Sequence, residues 1–309
     1  MNLAPPSPTS IHPYPANVES RLRPLSMWFP LGFLLATALL LTPPPAPWIQ
    51  MWALAIALYA GFKWATWYRL IGAGVQPSPF RSLIYLWLWP GMDARSFLKA
   101  DHPPTRTRPG RWLWAVIKVA LGIGLIWGCV RHVDSELLAG WLGMVGLLLV
   151  LHFGLLDMVA FSWQHCGVNA QPLMQAPLAS KSLNEFWGQR WNSAFRALSF
   201  DLMFRPLSKV VGGVAALLLT FFLSGIIHDI VISIPAGGGY GWPTVYFTLQ
   251  GIGVLAERSR VGQRLRRAHP GLARVFTLTI LLAPVGLLFP PIFVTRIMVP
   301  FLHFIGALP

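Results

Sequence analysis

Charge is what this chain of 309 residues has least of: Asp, Glu, Lys and Arg together make up 11% of it, against roughly 25% in an ordinary soluble domain. With 55% hydrophobic residues and a mean hydropathy of +0.56, that scarcity excludes an ordinary water-soluble globule. Carboxylates are few, and no two of the 8 histidines stand three or four residues apart, so the usual spacing of a metal site is missing and no metal ligands are assigned. There is no Walker loop, no G-x-S-x-G element and no defensible serine-histidine-aspartate arrangement. No internal repeat and no soluble domain is recognisable. An early apolar core is also missing, which argues against a cleavable signal peptide and leaves residues 1–25 as a Pro-rich disordered tail.

What the chain does have is apolar runs near the roughly 20 residues that span a bilayer as helix. Eight are read, at about 26–42, 48–68, 112–130, 137–161, 208–233, 241–257, 272–289 and 291–307. The expectation is an all-α polytopic membrane bundle in a single domain, 26–309, with added interfacial or re-entrant helices. A pI near 10.9 raises nucleic acid as a partner, but the basic residues lie between apolar runs and not on one soluble face. They gather in 69–111, 162–207 and the 258–271 loop, whereas the opposite connections, near 43–47, 131–136, 234–240 and 290, hold only Arg131. That asymmetry predicts cytoplasmic N- and C-termini. Cys129 and Cys166 then fall at opposite faces, cannot pair with each other, and say nothing about redox compartment.

Two stretches do not span. Residues 77–111, punctuated by prolines and carrying the short run Leu83 to Trp89, read as an interfacial or re-entrant piece. In 162–207, Ser182 and Glu185 form an S-x-x-E capping box that should start a helix at Leu183. From there Leu183, Phe186, Trp187, Trp191, Ala194, Phe195 and Leu198 gather on one helical face, and Glu185, Gln189, Asn192 and Arg196 on the other. An in-plane membrane anchor is one reading. The uncharged amides of Gln189 and Asn192, where a pure anchor would use Lys, favour another.

An ionisable side chain in hydrocarbon is costly and marks a functional site by default. His228 lies in the apolar stretch from Val210 to Ile234, 36 residues after Asn192. Thr220, Ser224 and His228 recur at i, i+4, i+8 and share a face; Gly225 is read as opening room beside it, and Asp229 as pointing about 100° away. The stripe suggests a cavity or tunnel wall, or else a histidine hydrogen-bonded to Ser224 or to a neighbouring helix. Counted from Val210, His228 lies about 27 Å along its helix, near the far side of a roughly 30 Å core, unless the helix starts nearer Val214 or tilts. His152 and Asp157 share a predicted span, but five residues apart they face different sides.

The blocks Ser182-Leu183-Asn184-Glu185-Phe186-Trp187-Gly188-Gln189-Arg190-Trp191-Asn192, Arg205-Pro206-Leu207 and Ser224-Gly225-Ile226-Ile227-His228-Asp229 resemble, in order, those of the membrane-bound O-acyltransferases, specifically their short wax-synthase-like branch. Trp89-Pro90-Gly91-Met92-Asp93 and Phe289-Pro290-Pro291 resemble further elements of that branch. Asp229 stands where the branch usually has glutamate. The resemblance implies a helical membrane fold with a tunnel, His228 as catalytic base and Asn192 as its polar companion. It implies acyl-CoA as co-substrate, no bound cofactor, and an alcohol acceptor of long-chain or lipidic type. Trp187, Arg190, Trp191, Ser224, Gly225 and Arg205 are the candidate substrate-binding residues. The partners expected are the two substrates and membrane lipids, not nucleic acid. An acetyl or short-acyl transfer to a polyol, glycan or secondary metabolite is the alternative within the class. A proton-coupled transporter relaying through His228 is the alternative outside it, with too few intramembrane carboxylates and no repeat to support it.

Overall fold

The computed structural model describes residues 24–40, 46–98 and 107–309. Residues 1–23 of the expected tail and part of the first connection lie outside the described residues, and Pro24 and Leu25, expected in the tail, begin the first helix. Those described form helices joined by turns and loops, without strands. We number the main helices α1 (Pro24–Leu40), α2 (Pro47–Gly72), α3 (Pro79–Leu88), α4 (Pro109–His132), α5 (Glu136–His165), α6 (Ser193–Ala236), α7 (Trp242–Arg258), α8 (Arg260–Ala268), α9 (Pro270–Leu288) and α10 (Pro291–Phe304).

Proline explains many of the boundaries. α2, α3, α4, α9 and α10 each begin on one, where the missing N–H is an orphan anyway and φ is already helical. Hydroxyl caps add to this: Ser78 accepts the Arg81 N–H at the start of α3, and Ser135 the Leu138 N–H at the start of α5.

Four helices, α4, α5, α6 and α9, are long and apolar enough to cross a membrane. A helix occupies each of the other four expected runs. However, α1 and α10 are shorter apolar helices, α7 has 17 residues, and α2 carries buried Lys63 and Arg69. Large apolar side chains stand outward along the long helices, including Leu113, Trp114, Val210 and Val214. Such a surface is at home in lipid and a liability in water.

The segment after α2 docks onto it. Tyr85 of α3 is fully buried and its hydroxyl lies 2.8 Å from that of Thr66, while Phe80, Leu83, Trp87 and Leu88 face outward. In the Trp89-Pro90-Gly91-Met92-Asp93 loop, Trp89 stacks on Phe97 and the Gly91 carbonyl accepts the Lys63 ammonium. Between α4 and α5, Lys118 pairs with Asp157 at 3.0 Å. Because Leu148–Leu155 is wound as a wide π-helical stretch, the α-helical spacing used for His152 and Asp157 does not hold there.

α6 is not straight. Gly212, at φ 79° and ψ 164°, interrupts it, a conformation open to glycine and strained for other residues. The straight run that carries His228 therefore begins past Gly212, later than Val210.

Candidate active site

His228 sits on the straight part of α6, partly buried. Its Nδ1 lies 2.7 Å from the Ser224 carbonyl oxygen one turn earlier. A carbonyl only accepts, so Nδ1 carries the proton and donates it, which leaves Nε2 as the nitrogen with the lone pair whenever the imidazole is neutral. The hydrogen bond to Ser224 that the spacing allowed is thus present, through the backbone and not the hydroxyl. The Thr220 hydroxyl also turns back, to the Ala216 carbonyl.

The room expected beside Gly225 is filled. A Cβ there would come within 2.5 Å of the Thr244 Cα, so the missing side chain lets α7 press against α6 instead of opening a cavity. That approach brings Phe247 to His228, ring centroids 4.2 Å apart. Asp229 closes the α6–α7 hairpin. Its Oδ1 accepts Ser233 Oγ and the Gly241 N–H, and its Oδ2 accepts the N–H and hydroxyl of Thr244. Gly241 and Thr244 lie at the start of α7, where helical N–H groups lack internal partners, so Asp229 is an anchor of the hairpin.

The serine half of the capping box forms, with Ser182 Oγ accepting the Glu185 N–H at 3.0 Å, whereas the Glu185 carboxylate accepts the Lys181 N–H and not that of Ser182. The single amphipathic helix expected from Leu183 does not form. Leu183–Glu185 is one α-turn, Phe186–Arg190 is a π-turn, Trp191 is extended, and Asn192 is left-handed at φ 42°. Asparagine tolerates that region better than most residues, and its side chain uses the corner: Oδ1 accepts the Phe195 N–H at 3.1 Å and so caps Ser193–Ser199. Residues 173–175 hold the corner from outside, since Leu173 O accepts the Ser193 N–H, the Asn192 N–H reaches Met174 Sδ, and the Gln175 N–H bonds Arg190 O.

This corner brings the block to His228. Phe195, in the helix that Asn192 caps, lies edge-on to the imidazole at 6.3 Å. Trp187 lies 5.6 Å from Phe247, and its indole N–H donates to Gln250 Oε1. Gln250 is fully buried and donates in turn to the Ile280 carbonyl. Trp191 stacks on Phe186 at 5.4 Å and meets Phe153 of α5. The aromatic block is therefore packed among helices, and the in-plane anchor reading is set aside.

Of the remaining candidates, Arg190 is engaged by Glu185, Nε to Oε1 at 2.6 Å, and by the Gln175 carbonyl. Burial alone would raise the Glu185 pKa; the Lys181 N–H and the Arg190 bond and charge outweigh it and hold the carboxyl below its usual range. Ser224 contributes its carbonyl, Gly225 the close approach of α7, and Arg205 stands where the π-turn Phe200–Phe204 resumes α-helix. No group of His, Cys, Asp or Glu fit to hold a metal ion occurs among the described residues, and Cys129 and Cys166 are free. Phe247 and Gln250 were not singled out in the sequence, and Phe195 only as one member of the apolar face from Leu183. A lone amide in the apolar run 241–257 was the available signal for Gln250.

Comparison with known proteins falls on the same stretch. Residues 170–249 match the model of the membrane bound O-acyl transferase family. The chain is 28% identical over 141 residues to the probable long-chain-alcohol O-fatty-acyltransferase 9 of Arabidopsis thaliana, covering 41% of each chain. It is 30% identical over 139 residues to the probable long-chain-alcohol O-fatty-acyltransferase 2 of the same plant, covering 40% of this chain and 39% of the relative. The matched stretch thus spans about two fifths of the length of these relatives. Asn192, His228 and Phe247 all lie within the stretch that matches the membrane bound O-acyl transferase family model.

Proposed function

We propose that this chain is a membrane-embedded O-acyltransferase that moves the acyl group of an acyl-CoA to the hydroxyl of a long-chain or lipidic alcohol. The observation that carries this reading is the aromatic seat of His228. Phe247 and Phe195 flank the imidazole, and Trp187 and the Asn192 corner stand behind them. An apolar enclosure around one neutral base suits an apolar alcohol and disfavours water as the competing acceptor. The names of the plant relatives point to the same acceptor class.

In this mechanism Nε2 of His228 takes the hydroxyl proton as the alcohol oxygen attacks the thioester carbon. The Nδ1–H bond to Ser224 fixes the tautomer that allows it. The tetrahedral intermediate then expels the coenzyme A thiolate, which recovers the proton from the imidazolium. Asn192 keeps Oδ1 on its cap, so its Nδ2 donor is the group offered to the thioester oxygen, stabilising developing charge without placing an ion in an apolar site. Arg205 and Lys209, which follow the block, are assigned to the donor's phosphates.

The same reading takes all eight helical runs as crossings of one domain, 26–309, with both termini cytoplasmic. Cysteine labelling in sealed vesicles is then expected to find Ser193 and Gln263 on the cytoplasmic side and Gly238 on the other; Ser193 and Gly238 on one side would overturn the crossing that carries His228. The activity is tested by incubating the purified protein with labelled acyl-CoAs of several chain lengths and a panel of alcohols. Esters of long-chain alcohols are expected, and transfer confined to polyols or glycans would overturn the acceptor assignment.

A further inference from the structure

We propose that Glu257, near the end of α7, is a positioning residue that clamps the aromatic block, so that Trp187 keeps its place against Phe247 and the helix capped by Asn192 keeps Phe195 against His228. Its two carboxylate oxygens reach across to the first N–H groups of the block: Oε1 accepts Leu183 N–H at 2.8 Å and Oε2 accepts Asn184 N–H at 3.2 Å. These donors have no intrahelical partner at the start of a helical turn, and Ser182 Oγ already takes the third, Glu185 N–H. Thr277 of α9, fully buried, stands behind the carboxylate with its hydroxyl 2.9 Å from both Oε1 and the Ala273 carbonyl, and its one proton is shared between them. The neighbouring Arg258 guanidinium donates to Asn184 Oδ1.

Glu257 does not act alone on the block. Gln250 lies seven residues earlier, on the same face of α7, and holds the Trp187 indole. One helix face therefore grips the block at its first turn and again at Trp187, and the same helix supplies Phe247 to His228. Two diverging N–H donors call for two acceptor oxygens. A glutamine at 257 would offer one oxygen and set its NH₂ against the other N–H, which is repulsive. Freed at its first turn, the block can shift against α7, and a misplacement of about 1 Å at a reacting group is enough to slow catalysis up to about 10²-fold.

This proposal rests on the reading of His228 and Asn192 given above, and the test separates the two. Glu257→Gln is expected to lower kcat about tenfold, leave KM for acyl-CoA within about twofold, and speed amide hydrogen exchange in residues 183–192 but not in α4 and α5. Thr277→Val, which removes only the hydroxyl behind the carboxylate, is expected to act in the same direction by about threefold, and it carries the test if Glu257→Gln does not fold. Wild-type kcat in a folded Glu257→Gln, a KM effect alone, or a lowered kcat with unchanged exchange in 183–192 overturns the clamp; so does wild-type kcat in Thr277→Val where that variant carries the test. If His228→Ala in parallel retains wild-type turnover, the reading of the site fails instead. If His228→Ala is inactive and Glu257→Gln is not impaired, only the clamp fails.

Discussion

His228 and Asn192 are set by opposite kinds of local structure. His228 rides on a regular helix, and its proton is placed by a carbonyl one turn away. Asn192 stands at a corner where the helix breaks, in a left-handed conformation and bonded to the turn it caps. Each region is nonetheless tied to α7 by a carboxylate that receives backbone N–H groups: Asp229 at the start of α7, and Glu257 from its end onto the block. In a chain this poor in acid, these two carboxylates serve as anchors for otherwise orphaned donors. His228 can be truncated without stranding a backbone group, whereas truncating Asn192 strands the Phe195 N–H.

The largest expected effect is at His228. His228→Ala should lower turnover by about 10²–10⁴, the range of a general base, while the protein still inserts and purifies as a monodisperse species. Near wild-type turnover in that folded variant would remove the assignment. Asn192→Ala should cost about 10²–10³ in turnover if its amide serves the oxyanion, and also about 1 kcal/mol of stability from the lost cap. Asn192→Asp divides the two roles, because a carboxylate still caps but no longer donates. Full turnover by Asn192→Asp would show that the corner, and not the donor, is what matters.

Asp229→Ala strands the N–H donors of Gly241 and Thr244 and should destabilise the fold by about 3 kcal/mol, read as a lower melting temperature. Asp229→Asn, which keeps one acceptor oxygen, should fall between. A melting temperature unchanged in Asp229→Ala would count against the hairpin anchor. The smallest effect is expected at Glu185. With its carboxyl held below the usual range, its contribution is present above the unfolded pKa and fades as pH falls through the lower folded value. The partly exposed pair with Arg190 should be worth within about 1 kcal/mol. Glu185→Gln should therefore melt slightly below wild type at pH 7, and the gap should close in acid; a gap that widens in acid would contradict the charge argument.

Much of the local geometry of the candidate site was legible because its signals are local. Periodicity placed Thr220, Ser224 and His228 on one face, and the Ser182–Glu185 spacing announced the cap that forms. The error at 183–198 has a definite cause. Apolar and polar residues fall at helical intervals there, but a π-turn at Phe186–Arg190 changes the phase and Trp191 ends the run. Pattern counts assume 3.6 residues per turn and do not register such a change. Gly225 was misread for a related reason: a missing side chain opens space only if no neighbour takes it, and Thr244 does.

The sequence by itself determined the helical class, the placement of the apolar runs, and the pairing of an amide-bearing aromatic block with one histidine in hydrocarbon. Those properties follow from composition, periodicity and charge, which act over a few residues at a time. Only the tertiary structure decided the tautomer-fixing bond of His228, the left-handed corner at Asn192, and the use of Asp229 and Glu257 as anchors. It also decided that Phe195 and Phe247 flank His228 and that Gln250 holds Trp187. Each of these depends on which helix end meets which orphaned backbone donor, or on how closely two helices pack, and such contacts between distant segments exist only once the bundle has formed.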